Sequence, residues 1–214
     1  MCAAMARGYF INLEGGEGAG KSTQAVLLAE KIEARGREVV RTREPGGSPG
    51  AEAIRALLVN GATDRWSPIS ETLLMYAARR DHIERVIAPA LARGAVVVCD
   101  RYADSTRAYQ GAGGGVPGPL IGALEEAVLG DTRPDLTLMF DLPPAVGLTR
   151  ATARSQGEGR FEAKDLEFHE RLRAAFLNIA RDEPARCVVI DAEADAESVA
   201  GAVWRAAAPR LGLA

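Results

Sequence analysis

The stretch "YFINLEGGEGAGKST", residues 9–23, decides how this chain is read. Its apolar opening, 9–13, predicts a short buried strand. Gly15-Gly16-Glu17-Gly18-Ala19-Gly20-Lys21-Ser22 then fills every fixed position of the pattern G-x-x-x-x-G-K-[ST], with Thr23 directly behind it. "STQAVLLAEKIEARG" follows, with Ala25, Leu28, Ala29 and Ile32 at helical spacing and Gly36 as a stop. Strand, glycines, lysine and helix in that order make a phosphate cradle. The glycines let backbone N–H groups curl around phosphate oxygens, and the helix N-terminus adds partial positive charge. Lys21 reaches the β and γ phosphates of a nucleotide, and the Ser22 hydroxyl suits Mg²⁺. A plain glycine turn is the alternative, and the filled fixed positions with both flanks in place disfavour it.

Outward from that stretch, strand and helix signals alternate. "EVVRT" (38–42), "AVVVC" (95–99), "LTLMFDL" (136–142) and "RCVVID" (186–191) read as four more strands. "GAEAIRALLVNG" (50–61) is a short helix; a long one runs from Ser67-Pro68 to Gly94, with Pro89 expected to bend it. Five short strands separated by helices predict an α/β fold, a parallel sheet covered on both faces in three layers. Without an internal repeat or an interdomain linker, residues 1–214 read as a single domain. Such a sheet keeps its ligands at the carboxyl ends of its strands.

Composition narrows the function classes. The 214 residues are 47% hydrophobic and 26% charged, ordinary for a soluble protein, and the net charge of −3 provides no general basic field for nucleic acid. Cys2, Cys99 and Cys187 have no paired spacing, which argues against a zinc site or a disulfide framework and fits a reducing cytoplasm. "MCAAMARGYF" lacks the apolar core of a signal peptide, and no run of eighteen apolar residues predicts a membrane span.

The third strand ends in Asp100-Arg101-Tyr102. An acid there can hold the water shell of a metal, and the adjacent arginine can clamp a second phosphate. No Asn-Lys-x-Asp guanine reader is present, and no D-x-x-G follows that strand, so a switch GTPase is disfavoured. Arg55 lies on the helix after "TREPGG" (42–47), Arg79 and Arg80 on the long helix, and Arg150, Arg154 and Arg160 on or beside the polar tip "RSQGEGR" (154–160). Phosphoryl transfer needs positive charge around the moving group and little covalent chemistry. Arg80, Arg85 and Arg93 read instead as solvated helix faces. His82 and His169 lie in helical segments without acid partners at catalytic spacing and read as structural or exposed.

With the phosphate loop, "TREPGG", "YAAR", "DRY", "AYQG" and "RPDLTLMFDL" in one order, the chain resembles bacterial thymidylate kinases from about Tyr9 onward. The resemblance implies a P-loop NTPase-type fold with a short LID over about 151–162, transfer of phosphate from MgATP to dTMP, and a homodimer. It implies that Gly15 to Thr23 bind ATP, and that Ser22 and Asp100 hold the Mg²⁺. Glu17 matches an acid that contacts the sugar 3′-hydroxyl of dTMP. Arg55 and Arg101 match arginines at the dTMP phosphate, and Arg79 the one that reads the thymine edge. Thr106 and Gln110 fall where side chains bond the base, and Tyr109 where a ring crowds the sugar 2′ position. No arginine lies among Glu17, Gly18 and Ala19, a pattern that goes with catalytic help to Lys21 and Arg101 from a LID arginine: Arg150, Arg154 or Arg160.

Two positions depart from the family. Met75 stands where a Phe often stacks on thymine, and a thioether can pack against an aromatic face. Gly159 stands where an acid or amide is common. Two rival functions remain at the level of sequence: a deoxynucleoside kinase, which would need a base for a neutral hydroxyl, and a slowly hydrolysing P-loop regulator, which would need switch loops.

Overall fold

A computed structural model of the chain describes residues 7–62, 64–153, 159–162 and 164–213, without the side chains of residues 159 and 160. Five strands, β1 (Phe10–Gly15), β2 (Val39–Arg43), β3 (Val96–Asp100), β4 (Leu136–Asp141) and β5 (Cys187–Asp191), form one parallel sheet in the order β2-β3-β1-β4-β5. Each lies within a residue or two of the apolar run that predicts it. β1 sits at the centre, with Ile11 beside Leu136 on one side and Phe10 beside Val97 on the other.

Alternation along the strands divides the core between the two faces. Ile11, Leu13, Val96, Val98, Leu136 and Leu138 point to one face, covered by α1 (Lys21–Glu33) and α10 (Ala196–Leu211). Phe10, Val97 and Cys99 point to the other, covered by α3 (Pro68–His82), α4 (Ala88–Ala92) and α6 (Gly118–Leu129). Met139 and Cys187 continue that face beneath α9 (Leu166–Asp182). Helix starts follow local chemistry. Ser67 accepts from the Ser70 N–H with Pro68 in the first turn, and Asp195 accepts from the Glu197 and Ser198 N–H groups.

The long helix expected over 67–94 is interrupted, though ahead of Pro89 rather than at it. Residues Ile83–Ile87 form a π-helical turn between α3 and α4, in which the Ala88 N–H reaches back to the Ile83 carbonyl. Proline has no N–H for the carbonyl four residues back, and its ring crowds that carbonyl, so the turn before it widens. A second π-helical stretch, Arg107–Gly113, continues α5 (Ala103–Thr106). α2 (Pro49–Val59) packs on α3; the expected LID takes in the end of α7 (Pro144–Thr152) and the short α8 (Gly159–Glu162), and its residues 154–158 lie outside the described residues.

Candidate active site

At the carboxyl end of β1 the chain turns through the phosphate loop. Gly18 and Gly20 have φ of 68° and 84°, a region glycine enters at no steric cost. Gly18 is also hemmed in, because a Cβ there would lie 2.0 Å from the Gly147 carbonyl of α7. Lys21, the first residue of α1, is buried, and its Nζ donates to the Gly16 carbonyl at 2.6 Å. Burial, then the Arg101 guanidinium, pull the Lys21 ammonium down to about 8, against the opposing pull of Glu17, Asp100 and Glu14. The Ser22 hydroxyl donates to Asp100 Oδ2 at 2.5 Å, joining the loop to the end of β3.

Arg101 follows β3 with φ 70°, a left-handed conformation that is uncommon for a residue with a side chain and costs on the order of 1–3 kcal/mol. The turn aims its guanidinium under the phosphate loop. Nη1 donates to the Gly15 carbonyl at 2.9 Å and Nη2 to Glu17 Oε1 at 3.0 Å. The Tyr109 hydroxyl donates to the same Glu17 oxygen at 2.6 Å. Burial works against the Glu17 charge, but Arg101, Lys21 and the Tyr109 hydrogen bond together hold its carboxyl at about 2.

The turn after β3 is clamped from behind by Glu14, a fully buried acid at the end of β1. It accepts from the Tyr102 N–H at 2.8 Å, the Ser105 N–H at 3.1 Å and the Ser105 hydroxyl at 2.6 Å. Burial, and then Asp104, raise its carboxyl above the usual range. Beneath, Arg186 donates to both Asp104 oxygens, at 2.7 and 2.9 Å, and Arg107 grips Glu125 with two bonds of 2.6 Å. These pairs fix α5 and the π-helical stretch that present Thr106, Tyr109 and Gln110.

A cavity of about 340 Å³ opens between the phosphate loop, the turn after β2, α3 and the turn after β3. From the phosphate loop it is lined by Glu17, Gly18, Ala19, Gly20, Lys21 and Ser22. Arg55, Met75, Arg79, Thr106 and Gln110 line it as well, with Asp100, Arg101 and Tyr109, the last two bonded to Glu17. Arg55 donates to the Pro45 carbonyl. Gln110 donates to Glu71 at 2.8 Å. Arg79 is 2% exposed; its Nε donates to Glu44 at 2.7 Å, and its Nη2 to the Tyr102 carbonyl at 3.0 Å and the Thr106 hydroxyl at 3.1 Å. Its Nη1 has no hydrogen-bond partner. Met75 is half-buried on the cavity wall.

Other expected residues lie elsewhere. Gly15 and Gly16 shape the loop without lining the cavity, and Thr23 is exposed on α1. Arg150 donates to the Ala192 and Glu193 carbonyls after β5, at 2.9 and 3.0 Å, and does not line the cavity. Arg154 and the Arg160 side chain lie outside the described residues. Arg80, Arg85 and Arg93 form exposed pairs with Glu84, Asp81 and Glu38, consistent with solvated faces.

His82 is structural, one of the two alternatives read from the sequence: it is fully buried, with Nδ1 3.0 Å from the acid Glu44. That partner comes from the turn after β2, which helical spacing could not disclose. Glu14, Glu44 and Asp104 were likewise not assigned from sequence. The signal for Glu14 was visible, an acid closing an otherwise apolar strand.

Residues 13–203 match the sequence profile of the thymidylate kinase family. The chain is 68% identical to the thymidylate kinase of Caulobacter vibrioides over 209 residues, covering 98% of this chain and all of that one. It is 54% identical to that of Bradyrhizobium diazoefficiens, covering 96% of this chain and 91% of that one.

This chain belongs to the thymidylate kinase family.

The solved thymidylate kinase of Ehrlichia chaffeensis superposes with a TM-score of 0.77 at 36% identity, covering 93% of this chain and 98% of that one. The activity of the kinase is therefore ATP-dependent phosphorylation of dTMP to dTDP, and the two rival readings, nucleoside kinase and regulator, fall away. Among the described residues no helix is long and apolar enough to cross a membrane.

Proposed function

We propose that the two ends of the cavity divide the substrates. dTMP lies along Arg79, Met75, Thr106, Tyr109 and Gln110, with its phosphate toward Arg55 and Arg101, and the ATP phosphates lie in the loop Gly15–Thr23. The observation that carries this reading is Arg79 Nη1, a buried donor at the cavity without a partner. A buried donor left unsatisfied is costly, and a ligand acceptor such as thymine O4 would satisfy it. The cytosine amino group, itself a donor, would not.

Lys21 exchanges the Gly16 carbonyl for phosphate oxygens and stabilises the charge on the transferred group. Arg101 bridges donor loop and acceptor phosphate, so the two reacting groups are held from one side chain. Glu17 stays ionised and accepts from the sugar 3′-hydroxyl, while the Tyr109 ring closes the 2′ side. The acceptor phosphate is already an anion, so no general base is needed. The oxygen donors Ser22 Oγ and Asp100 Oδ2 lie together at the loop and suit a hard cation, so these two residues would hold the Mg²⁺ that accompanies ATP. When bound, Mg²⁺ neutralises charge on the phosphates. With Arg150 engaged by the carbonyls after β5, the LID arginine that reaches the phosphoryl group is Arg154 or Arg160.

The kinase works as a cytoplasmic homodimer. Exposed Leu57, Ile69 and Leu73 on the packed pair α2 and α3 support the dimer, and the free thiols Cys99 and Cys187 support a reducing compartment. Sedimentation of the purified chain as a monomer at micromolar concentration would refute the dimer. A coupled ADP-release assay across dTMP, dCMP, dGMP, ribo-TMP and thymidine tests the site. dTMP should have the highest kcat/KM, and equal values for dTMP and dCMP would reject the placement of the base at Arg79.

A further inference from the structure

Behind Arg79 runs an unbroken line of polar contacts, buried at Glu44 and His82 and half-buried at Thr42. Thr42 Oγ1, on β2, is 2.7 Å from His82 Nε2. His82 Nδ1 is 3.0 Å from Glu44 Oε1, and Glu44 Oε2 accepts from Arg79 Nε at 2.7 Å. A carboxylate beside an arginine only accepts, so His82 Nδ1 donates to Glu44, while Nε2 bonds the Thr42 hydroxyl, which can serve as donor or acceptor. Every polar atom of the line is thereby used, and the Arg79 fork is fixed at Nε and Nη2 with Nη1 left for the cavity.

The sequence around Thr42 is built for this line. Gly47 has φ 87°, and a Cβ on it would lie 2.4 Å from both His82 Nε2 and Thr42 Oγ1, within the bond itself. Thr42, Glu44 and Gly47 are three of the six residues of "TREPGG". Thr42 closes β2 with Arg43, and Glu44 and Gly47 lie just beyond it. Glu44 meets the cavity wall, but both of its oxygens are turned to His82 and Arg79.

We propose that Thr42, Glu44 and His82, with space left by Gly47, form a positioning relay that sets the direction of Arg79 and so tunes discrimination among pyrimidine monophosphates. The inference rests on Arg79 facing the base. The three residues touch no reacting atom; they act through Arg79. A guanidinium held at Nε and Nη2 cannot rotate to offer a different donor pattern, so an unmatched base edge leaves a polar group unpaired. Loosening the line should lower selectivity more than turnover.

The test is a series of steady-state kinetics on the full chain, with melting temperatures alongside. Thr42→Val removes one hydroxyl from a half-buried edge strand without changing shape, and Thr42→Ser restores it. Glu44→Gln and Arg79→Ala complete the series. The relay predicts that Thr42→Val raises the dTMP KM by about threefold to tenfold, as expected for one hydrogen bond. The dTMP to dCMP ratio of kcat/KM should fall with it, kcat and the ATP KM should stay near wild type, and Thr42→Ser should recover the ratio. Glu44→Gln should have the larger effect in the same direction, and in an Arg79→Ala background Thr42→Val should change nothing further.

Three results overturn the relay. Folded Thr42→Val and Glu44→Gln proteins with wild-type KM and selectivity, beside an impaired Arg79→Ala, refute it while leaving the base site intact. An equal effect of Thr42→Val with and without Arg79 also refutes it. An Arg79→Ala protein with unchanged dTMP KM and selectivity refutes the base site itself, and the relay with it. Should Glu44→Gln fail to fold, the Thr42 pair alone decides.

Discussion

The Tyr109 hydroxyl and the Glu17 carboxylate meet at 2.6 Å, so the residue proposed for the sugar's 2′ side also holds the acid proposed for its 3′-hydroxyl. One ring thereby serves shape and charge together. Tyr109→Phe keeps the ring and frees the acid. A hydrogen bond to a charged acceptor is worth about 1.5–3 kcal/mol. The expected result is a raised dTMP KM with preference for the deoxy sugar retained, whereas Tyr109→Ala should lose that preference. Parallel kinetics with dTMP and ribo-TMP check both; equal loss of preference in the two variants would contradict the division.

Lys21→Ala should remove activity by about two to three orders of magnitude while leaving the fold intact. Lys21 Nζ makes its hydrogen bond to a loop carbonyl rather than to a core group, so its loss should cost chemistry more than stability. Turnover near wild type in a folded variant would defeat the assignment of the loop.

Glu17 and Lys21 also set a pH dependence of stability. Glu17 is depressed from 4.5 to about 2, so its contribution is present above pH 4.5 and is lost as pH falls toward 2. Lys21 is depressed from 10.5 to about 8. Between those values the unfolded chain binds the extra proton, so this group makes stability rise with pH from about 8 to 10.5. Urea titrations of wild type and Lys21→Met should diverge across that range, with the variant's slope smaller. Identical slopes would show that Lys21 is not desolvated.

Met75→Ala should raise the dTMP KM several-fold with little change in kcat, because its contact is the same in ground and transition states. Met75→Phe should stay active. Met75 is half-buried on the cavity wall, so a core role, with a cost of about 2–5 kcal/mol on truncation, is not expected. A sharply lowered melting temperature with unchanged KM would reverse this view.

What the sequence disclosed, and what it withheld, follows from the range of the interactions. The strands are short-range events, and "VVVC" or "LTLMF" carries its own signal of burial. The phosphate loop is local too, since its glycines, lysine and helix start lie in one segment. Even the widened turn before Pro89 has a local cause, though spacing gave only the bend. Glu14 meets Ser105, Glu44 meets His82 and Asp104 meets Arg186 across the sheet, and no periodicity announces an acid's distant partner. Arg150 is a further case: its place beside the polar tip suggested the transferred phosphate, and nothing local announced the Ala192 and Glu193 carbonyls to which it donates.

Gly18 and Gly147 have a consequence far from either residue. A Cβ on Gly18 would lie 2.0 Å from the Gly147 carbonyl, and one on Gly147 would lie 2.3 Å from the Glu17 carbonyl. The donor loop and α7 thus share a single wall of bare main chain, with no side chain to act as a cushion. Such a joint transmits displacement without absorbing it: a methyl group inserted from the α7 side must push the loop, and with it Glu17, out of register. A lesion at Gly147 would therefore look in an activity screen like damage to the nucleotide site, although the residue does not line the cavity. α7 and the glycine loop after β1 turn on one pin.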